Sequence, residues 1–429
     1  MSGDPIVWAL NALRRRMDAA LSARTLAAID LGEHAVTCLV FQADRAALYR
    51  AINNPDRDPH AALPIIGASR RPSVGIEQGV IVDQPAAAKS IVAALDEANR
   101  LAGVSTNRVV FSLSGGTPRT LLAEGLTEIA TRRVDDNSVA RVLAACRPEI
   151  SSRVRRPIHI DLIDFERDGI SGLRDPRGVA AARLGVNIAV TTLERAALDA
   201  LAQTARLARV QISGVVASAI SSGFAVLTDD ERELGAISVD FGAGTTGIAA
   251  FKDGRHSRAE VLPLGGNALT RDLAEALEIS TLAAEAHKVG RGEGLVAADP
   301  SILGGAGPGE VQSVHVGVVR PRLAETMEMV SMRLDELPGR PVVLTGGGSQ
   351  LPGIVDFAET ILQSRVRAGA PFRTVGSPSV FRGPDCAAAH GVASYIIHLI
   401  TEPWRDAISM TAGPDRRLSG LTGWLRENW

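Results

Sequence analysis

The sequence predicts an α/β fold built from two related halves. Short β-branched runs punctuated by glycine alternate with amphipathic stretches of helical period, which is typical of α/β proteins. A strand, a glycine turn, a second strand and a later helix begin at residue 26, and the same order of elements begins again at residue 237. The chain has 429 residues, 45% of them hydrophobic, so it is long enough for roughly two to four folding units.

The first half begins with a predicted strand at 26–30, which turns at Gly32 into a hairpin partner at 36–41. A helix is expected at 89–102, because its apolar residues share one face and Gly103 follows as a C-cap. A buried strand at 109–113 is expected next. Together these elements predict a sheet with a helix packed against it.

The second half repeats this order, with strands at 237–240 and 248–251 and a helix from about 267 to 277. Between the halves, residues 114–186 are more polar and irregular, which indicates an inserted subdomain. Past residue 400 the periodic pattern ends among prolines, glycine and charged residues, as expected of a linker.

Composition excludes several classes of protein. The net charge of −2, from 46 Lys+Arg and 48 Asp+Glu, does not predict a dedicated nucleic-acid binder. Cys38, Cys146 and Cys386 lie far apart in the sequence and form no C-x-x-C pair, so we expect neither disulfides nor a zinc site. This use of cysteine is consistent with a protein of the reducing cytosol. No apolar run approaches the roughly 18 to 20 residues that span a bilayer.

Three glycine-containing loops follow predicted strands. Two begin with an aspartate, at 30–33 and 240–246, and the third is Thr345-Gly346-Gly347-Gly348-Ser349. Glycines let backbone N–H groups approach phosphate oxygens, hydroxyls add donors, and aspartates at strand ends can orient a hydrated Mg²⁺. Two such loops could clamp one nucleotide, while the third allows a purine to lie on backbone.

The ordered set of three loops resembles the actin-like ATPase superfamily, and within it the sequence resembles the FtsA family of bacterial cell-division proteins. The resemblance covers about residues 25–400 and the C-terminal end. The stretches that carry it are 79–83, 111–116, 225–235, 263–272, Ala284-Glu285 with Lys288, 321–325 and 344–353.

This resemblance implies an actin-like fold, duplicated from a βββαβα core, with ATP bound between two lobes. It also implies a division of the chain: N-terminal extension 1–24; first lobe 25–113, with 187–222 and about 385–400; inserted FtsA-type subdomain 114–186; second lobe 223–384, with a small subdomain at about 265–340; linker 401–415; amphipathic membrane-targeting helix 416–429.

The same resemblance assigns the residues of an ATP and Mg²⁺ site. The first phosphate loop takes Asp30 and Gly32, and both Asp30 and Asp240 would hold Mg²⁺ indirectly, through water. The remaining assignments are Asp240, Gly242, Gly244, Thr245 and Thr246 in the second phosphate loop, Glu285 and Lys288 on a nucleoside-binding helix, and Gly346, Gly347 and Gly348 in an adenosine loop.

Three positions depart from the family pattern. Glu33 and Ala35 stand where the family usually has a small or hydroxylated residue and a lysine, and a carboxylate beside ATP phosphates would repel them. Alternatively, Glu33 points to solvent and contributes only its N–H. Gly247 replaces an aspartate, and no residue is assigned to activate water, so we expect ATP binding with weak or absent hydrolysis.

The last fourteen residues have the pattern of a helix lying on a membrane surface. Apolar residues share one helical face and arginines flank it, an arrangement that attracts anionic lipid. The alternative is a terminal helix docked on its own domain. The residues assigned to membrane contact are Arg416, Arg417, Leu418, Leu421, Trp424, Leu425, Arg426 and Trp429.

The resemblance implies a tether that polymerises on the inner face of the cytoplasmic membrane at the division site. Its expected partners are the FtsZ C-terminal peptide at the small subdomain, later divisome proteins at the insertion, further copies of the chain and anionic membrane. The alternative kept open is a PilM-like adaptor for pilus or secretion assembly, against which the terminal amphipathic helix argues. A small-molecule kinase or a chaperone-type ATPase is less consistent with the residues present.

Overall fold

The structure is a computed structural model that describes residues 25–54, 56–146, 154–289, 315–334 and 339–401. The predicted extension 1–24, most of the linker and the predicted helix 416–429 lie outside the described residues. The strands are β1 (Thr25–Leu31), β2 (Ala35–Gln42), β3 (Ile65–Pro72), β4 (Ile76–Glu77), β5 (Val80–Ile81), β6 (Arg108–Leu113), β7 (Arg119–Glu128), β8 (Arg155–Arg167), β9 (Ile170–Leu173), β10 (Arg183–Glu194), β11 (Gln211–Ala217), β12 (Ala236–Phe241), β13 (Thr246–Lys252), β14 (Arg255–Leu262), β15 (Val342–Thr345) and β16 (Val366–Ala368).

Helices alternate with these strands. The α-helices are Arg45–Ile52, Gln84–Ala102, Asp136–Ala145, Arg195–Leu207, Ser218–Val226, Asp229–Leu234, Gly266–Ala276, Thr281–Lys288, Arg320–Leu334, Ile354–Leu362 and Ala387–Thr401. Shorter 3₁₀ turns occupy Pro59–Ala62, Gly347–Gln350, Ser379–Phe381 and Pro384–Cys386, and a π-helical turn occupies His315–Val319. Among the described residues, no helix is both long and apolar enough to cross a membrane.

Two five-stranded sheets share one topology, which confirms the predicted duplication. The first sheet has the order β3-β2-β1-β6-β11, and the second has the order β14-β13-β12-β15-β16. In each, three antiparallel strands are followed by two parallel ones: β1 pairs antiparallel with β2 and parallel with β6, and β12 does the same with β13 and β15. The carboxyl ends of β1 and β12, where the two aspartates lie, are therefore equivalent positions in the two lobes.

The helix Gln84–Ala102 illustrates how local sequence determines its ends. Its N-cap Asp83 accepts a hydrogen bond from the backbone N–H of Ala86, at 3.0 Å. Gly103 ends the helix in the left-handed region, with φ 65°, as predicted. The helix starts five residues earlier than the apolar face alone suggested (84 against 89), because this cap and the proline after Gln84 define its first turn.

The inserted subdomain is a separate four-stranded sheet with the order β7-β10-β8-β9 and its own apolar core. The helix Asp136–Ala145 packs on β7 at Gly125, where an added Cβ would meet Sγ of Cys146 at 2.9 Å. β10 runs to Glu194, so the inserted sheet continues past the predicted boundary at residue 186. The predicted boundary rests on polarity, and the second half of β10 is buried and rich in β-branched residues, as the lobe strands are.

A buried polar cluster joins the inserted subdomain to both lobes. Nδ1 of His159 in β8 forms a hydrogen bond with the Tyr395 hydroxyl. Nε2 of the same imidazole accepts a hydrogen bond from the backbone N–H of Ala217, at 3.0 Å. Asp161 of β8 contacts His398 of the helix Ala387–Thr401, with 3.0 Å between Oδ1 and Nε2, and it also contacts His256 of β14. Burial alone would raise the pKa of Asp161, but these two imidazoles hold that pKa below its usual range.

Candidate functional site

The three predicted loops meet at the ends of β1, β12 and β15, and the space that they surround is called the cleft here. Asp240 of β12 pairs in register with Thr345 of β15, so the second and third loops are neighbours. Gly346 has φ 83°, and an added Cβ there would collide with Oδ1 of Asp240. Glycine is therefore required at this position both for its backbone conformation and for the close approach to the aspartate.

Asp30 and Asp240 are half-buried carboxylates on opposite sides of the cleft. Burial, together with the negative charge of Asp240, raises the pKa of Asp30 to about 7, against the hydrogen bond from Ser112 and the charge of Arg70. Burial also raises the pKa of Asp240 to about 6, although the Ser222 hydroxyl donates to its Oδ2. Two desolvated carboxylates with raised pKa values fit a bound cation, which would keep both ionised.

The second loop is braced by the start of the helix Gly266–Ala276. The backbone N–H groups of Gly266 and Asn267 donate to the carbonyl oxygens of Gly242 and Ala243, at 2.9 and 2.7 Å. The loop itself closes through a bond from Gly242 N–H to the carbonyl of Thr245, at 2.9 Å. These contacts place the positive end of the helix dipole beside the loop, which favours an anion there.

The two predicted threonines of this loop are buried. Thr246 begins β13, and its hydroxyl donates to the carbonyl oxygen of Leu264, at 2.7 Å. Thr245 precedes it and is 9% exposed. A phosphate ligand at Thr246 would therefore have to replace the bond to Leu264.

Glu33 of the first loop reaches across the cleft. Its Oε2 accepts from the backbone N–H of Gln78 at 2.6 Å, and its Oε1 accepts from Nδ2 of Asn267 at 2.7 Å. The same Oε2 lies over Gly244, where an added Cβ would collide with it. We call these contacts the Glu33 bridge. The alternative in which Glu33 points to solvent is wrong for this conformation.

The predicted nucleoside-binding helix, Thr281–Lys288, lies behind the second loop. Nζ of Lys288 donates to the carbonyl of Gly266 at 3.1 Å and to the Thr270 hydroxyl at 2.9 Å. It also forms an ion pair with Glu285, at 2.6 Å. Burial opposes ionisation of Glu285, but Lys288 and Thr270 hold its pKa below the usual value. Both predicted residues thus brace the helix Gly266–Ala276 from the side.

The sequence did not predict the cleft contacts between residues that lie far apart in the chain. Arg70 of β3 forms an ion pair with Asp385, which precedes the helix Ala387–Thr401. Asp385 also faces the third loop, because a Cβ added at Gly347 would lie 3.8 Å from its Cβ. Arg70 and Asp385 are 315 apart in the chain, so no local pattern signals their contact. Asn267 lies within one of the stretches that carry the family resemblance, and that position was the one available signal for its role.

The residues of the cleft fit parts of a magnesium nucleotide. The aspartate pair has the charge and burial that suit a hydrated Mg²⁺. Gly347 leaves room for a further atom at the third loop, since an added Cβ there meets its nearest neighbour, Asp385 Cβ, at an ordinary contact distance of 3.8 Å. The position over Gly244, where phosphate oxygens are expected, holds the Glu33 carboxylate instead. Phosphates therefore do not fit while Glu33 stays there.

Comparison with known proteins gives matches over most of the chain. The family described as "Cell division protein FtsA" matches residues 237–391, and the family described as "SHS2 domain inserted in FTSA" matches residues 115–192. The cell division protein FtsA of Rhizobium meliloti (strain 1021) is 32% identical over 419 residues, covering 94% of each chain. That of Agrobacterium fabrum (strain C58 / ATCC 33970) is 33% identical over 349 residues, covering 78% of this chain and 79% of the relative.

Two solved structures share the architecture. The PilM-PilN type IV pilus biogenesis complex has a TM-score of 0.56 at 18% identity and covers 87% of this chain and 98% of its own. The ethanolamine utilization protein EutJ from Carboxydothermus hydrogenoformans has a TM-score of 0.50 at 15% identity, covering 90% and 99%. At these identities the likeness concerns the fold alone.

Proposed function

This chain belongs to the FtsA family of cell division proteins, and from that premise we propose that it tethers the division machinery to the membrane. It has the actin-like two-lobed fold, with the inserted subdomain of that family. In the proposal, the chain forms homopolymers on the inner face of the cytoplasmic membrane and binds the FtsZ C-terminal peptide through its small subdomain. Later divisome proteins bind at the insertion. The observation that carries the proposal is the nearly full-length likeness to curated FtsA proteins.

Attachment to the membrane is assigned to residues 416–429. Their sequence supports the assignment, because a leucine and tryptophan face beside arginines is typical of a helix lying at an anionic lipid surface. Gly420 and Gly423 each weaken an isolated helix by roughly 1 kcal/mol relative to alanine, so we expect weak attachment of single copies. Polymers attach more strongly, since each further contact is effectively intramolecular.

Nucleotide binding is assigned to the cleft. The two half-buried aspartates support Mg²⁺, and Gly347 of the third loop supports a base lying on backbone, whereas Gly346 and Gly348 are packed against Asp240 and Phe241. Binding of ATP requires the Glu33 carboxylate to leave its position over Gly244. We expect hydrolysis to be weak or absent, because Gly247 provides no side chain to orient water.

Sedimentation with vesicles tests the tether. We expect the full chain to pellet with vesicles that contain phosphatidylglycerol and to remain in the supernatant with phosphatidylcholine alone. Trp429→Glu should lower the pelleted fraction several-fold, since it removes an aromatic anchor and adds a negative charge. Trp404→Glu is the matched control, because it makes the same exchange within the predicted linker.

Equal pelleting of the two tryptophan variants would contradict the assignment of residues 416–429. If the full chain stayed in the supernatant with both lipids, a PilM-like adaptor that reaches the membrane through a partner would become the better proposal. No contact of the described residues favours that alternative at present, and the likeness to the PilM structure concerns the fold.

A further inference from the structure

We propose that Glu33 is a built-in anion that joins the two lobes in the absence of nucleotide, and that a nucleotide must displace its carboxylate to bind. The first half of this proposal depends only on the contacts of Glu33. The second half rests on the proposed nucleotide cleft.

The Glu33 bridge connects groups from both lobes. Gln78 lies in the turn between β4 and β5 of the first lobe, and Asn267 is the second residue of the helix Gly266–Ala276 in the second lobe. Each provides one N–H donor, and each oxygen of the carboxylate accepts one of them, at 2.6 and 2.7 Å. Hydrogen bonds to an ionised acceptor are stronger than neutral ones. The bridge therefore holds the lobes together across the cleft.

The position of the carboxylate is that of an expected phosphate. Glu33 Oε2 lies against Gly244, in the loop that the family resemblance assigns to phosphate. The φ of Gly244 is outside the left-handed region, so this backbone does not itself require glycine. What the missing side chain provides is space, and Glu33 fills it. The amino end of the helix Gly266–Ala276 lies beside this position and stabilises negative charge there.

Displacement of Glu33 has a consequence for affinity. A site that is open in only a fraction of molecules binds its ligand with an apparent Kd raised by the inverse of that fraction. The Glu33 bridge reduces the open fraction, and the carboxylate also repels the phosphates that approach it. Removal of the carboxylate should therefore increase nucleotide affinity, whereas loss of most other cleft side chains should decrease it.

Two measurements on the full chain test these statements, using Glu33→Ser with Glu77→Ser as the matched control. Glu77 is an exposed carboxylate next to Gln78 in the chain, so its replacement removes the same charge at a residue that takes no part in the Glu33 bridge. The first measurement is hydrogen exchange at the Gln78 amide without nucleotide. The second is calorimetric titration with MgATP and MgADP.

Exchange at Gln78 is compared with the intrinsic rate for each sequence. On this scale we expect it to be faster in Glu33→Ser by at least about tenfold and unchanged in Glu77→Ser. We also expect MgATP affinity to rise in Glu33→Ser by at least about tenfold over the unchanged chain. Glu33→Gln keeps an oxygen for Gln78 but removes the charge, so it should give intermediate values. This variant tests the proposal if the serine variant does not fold.

Unchanged exchange at Gln78 would overturn the bridge, whatever the titration gave. Faster exchange without a gain in MgATP affinity would overturn the displacement. If neither the unchanged chain nor Glu33→Ser bound MgATP or MgADP, both the displacement and the nucleotide assignment of the cleft would be wrong, while the exchange result would still decide the bridge.

Discussion

The hairpin that begins each lobe has the same backbone arrangement but different side chains facing the cleft. In β1–β2, Asp30 pairs with Thr37, and in β12–β13, Asp240 pairs with Gly247, which is the same register. The glycine two residues after each aspartate is constrained in the same way. A Cβ added at Gly32 would meet the carbonyl oxygen of Ala35 at 2.8 Å, and one added at Gly242 would meet that of Thr245 at 3.0 Å.

The difference lies in the next two residues. The first loop continues with glutamate and histidine, and the second continues with Ala243 and Gly244. The first loop therefore carries an anion, and the second has the space beside a helix start that receives it. This comparison shows that both halves of the duplicated fold keep the same turn. The side chains after the glycine decide which loop carries the carboxylate and which loop provides the space for it.

The largest expected effect comes from filling the space in the second loop. Gly244→Ala should lower the free energy of unfolding by about 2 kcal/mol, because its Cβ takes the place of Glu33 Oε2 and the displaced carboxylate loses its hydrogen bonds to Gln78 and Asn267. In a Glu33→Ser background the same change should cost at least about 1 kcal/mol less, since the colliding atom is gone. Urea titration of the four chains measures this coupling.

Gly247→Ala is the matched control for that cycle. Its added Cβ would meet Ala219 Cβ at 3.0 Å, and the three atoms nearest to it all belong to Ala219 and none to Glu33. The cost of Gly247→Ala should be the same in both backgrounds. Equal costs for Gly244→Ala in both backgrounds would mean that the loops do not touch through Glu33.

A smaller effect concerns the aspartates that the two loops share. Their pKa values are about 7 and 6 in the folded protein, against 3.8 ordinarily, so the folded state binds more protons than the unfolded state between these values. Stability without nucleotide should therefore fall as pH rises from about 4 to about 7. Asp240→Asn should reduce this fall by at least about 1 kcal/mol, because it removes one titration and the repulsion on Asp30.

Urea titrations across this pH range check the prediction, with Asp96→Asn as control. Asp96 is exposed on the helix Gln84–Ala102, so its replacement should leave the pH dependence as it is. A fall of the same size in Asp240→Asn and in the unchanged chain would contradict the view that the two loops place interacting carboxylates in the cleft.

The smallest effect is expected at His34, which stands in the first loop where Gly244 stands in the second. Its side chain is exposed, so His34→Ala should change the free energy of unfolding by less than about 0.5 kcal/mol. Urea titration measures it beside Gly244→Ala. If His34→Ala lowered the free energy of unfolding as much as Gly244→Ala does, the two loops would be equally sensitive to substitution at this position. Such a result would contradict the view that only the second loop depends on the space left by a missing side chain.

Much of the lobe architecture could be predicted because its signals are local. The β-branched runs at β1, β6 and β12 and the cap at Gly103 depend on residues close in sequence, and all of them appear where expected. The end of the inserted sheet at Glu194 could not be placed, since the second half of β10 is rich in β-branched residues like a lobe strand and only its pairing with β7 and β8 assigns it.

The sequence by itself determined the duplicated α/β order, the two aspartates at strand ends and the positions of the three glycine loops, because periodicity and turn chemistry act over a few residues. Only the tertiary structure decided where the Glu33 carboxylate lies, and that Arg70 pairs with Asp385. Those contacts join residues hundreds of positions apart, and their geometry is set by how two sheets pack around the cleft. Side-chain direction across such distances has no local signal in the chain.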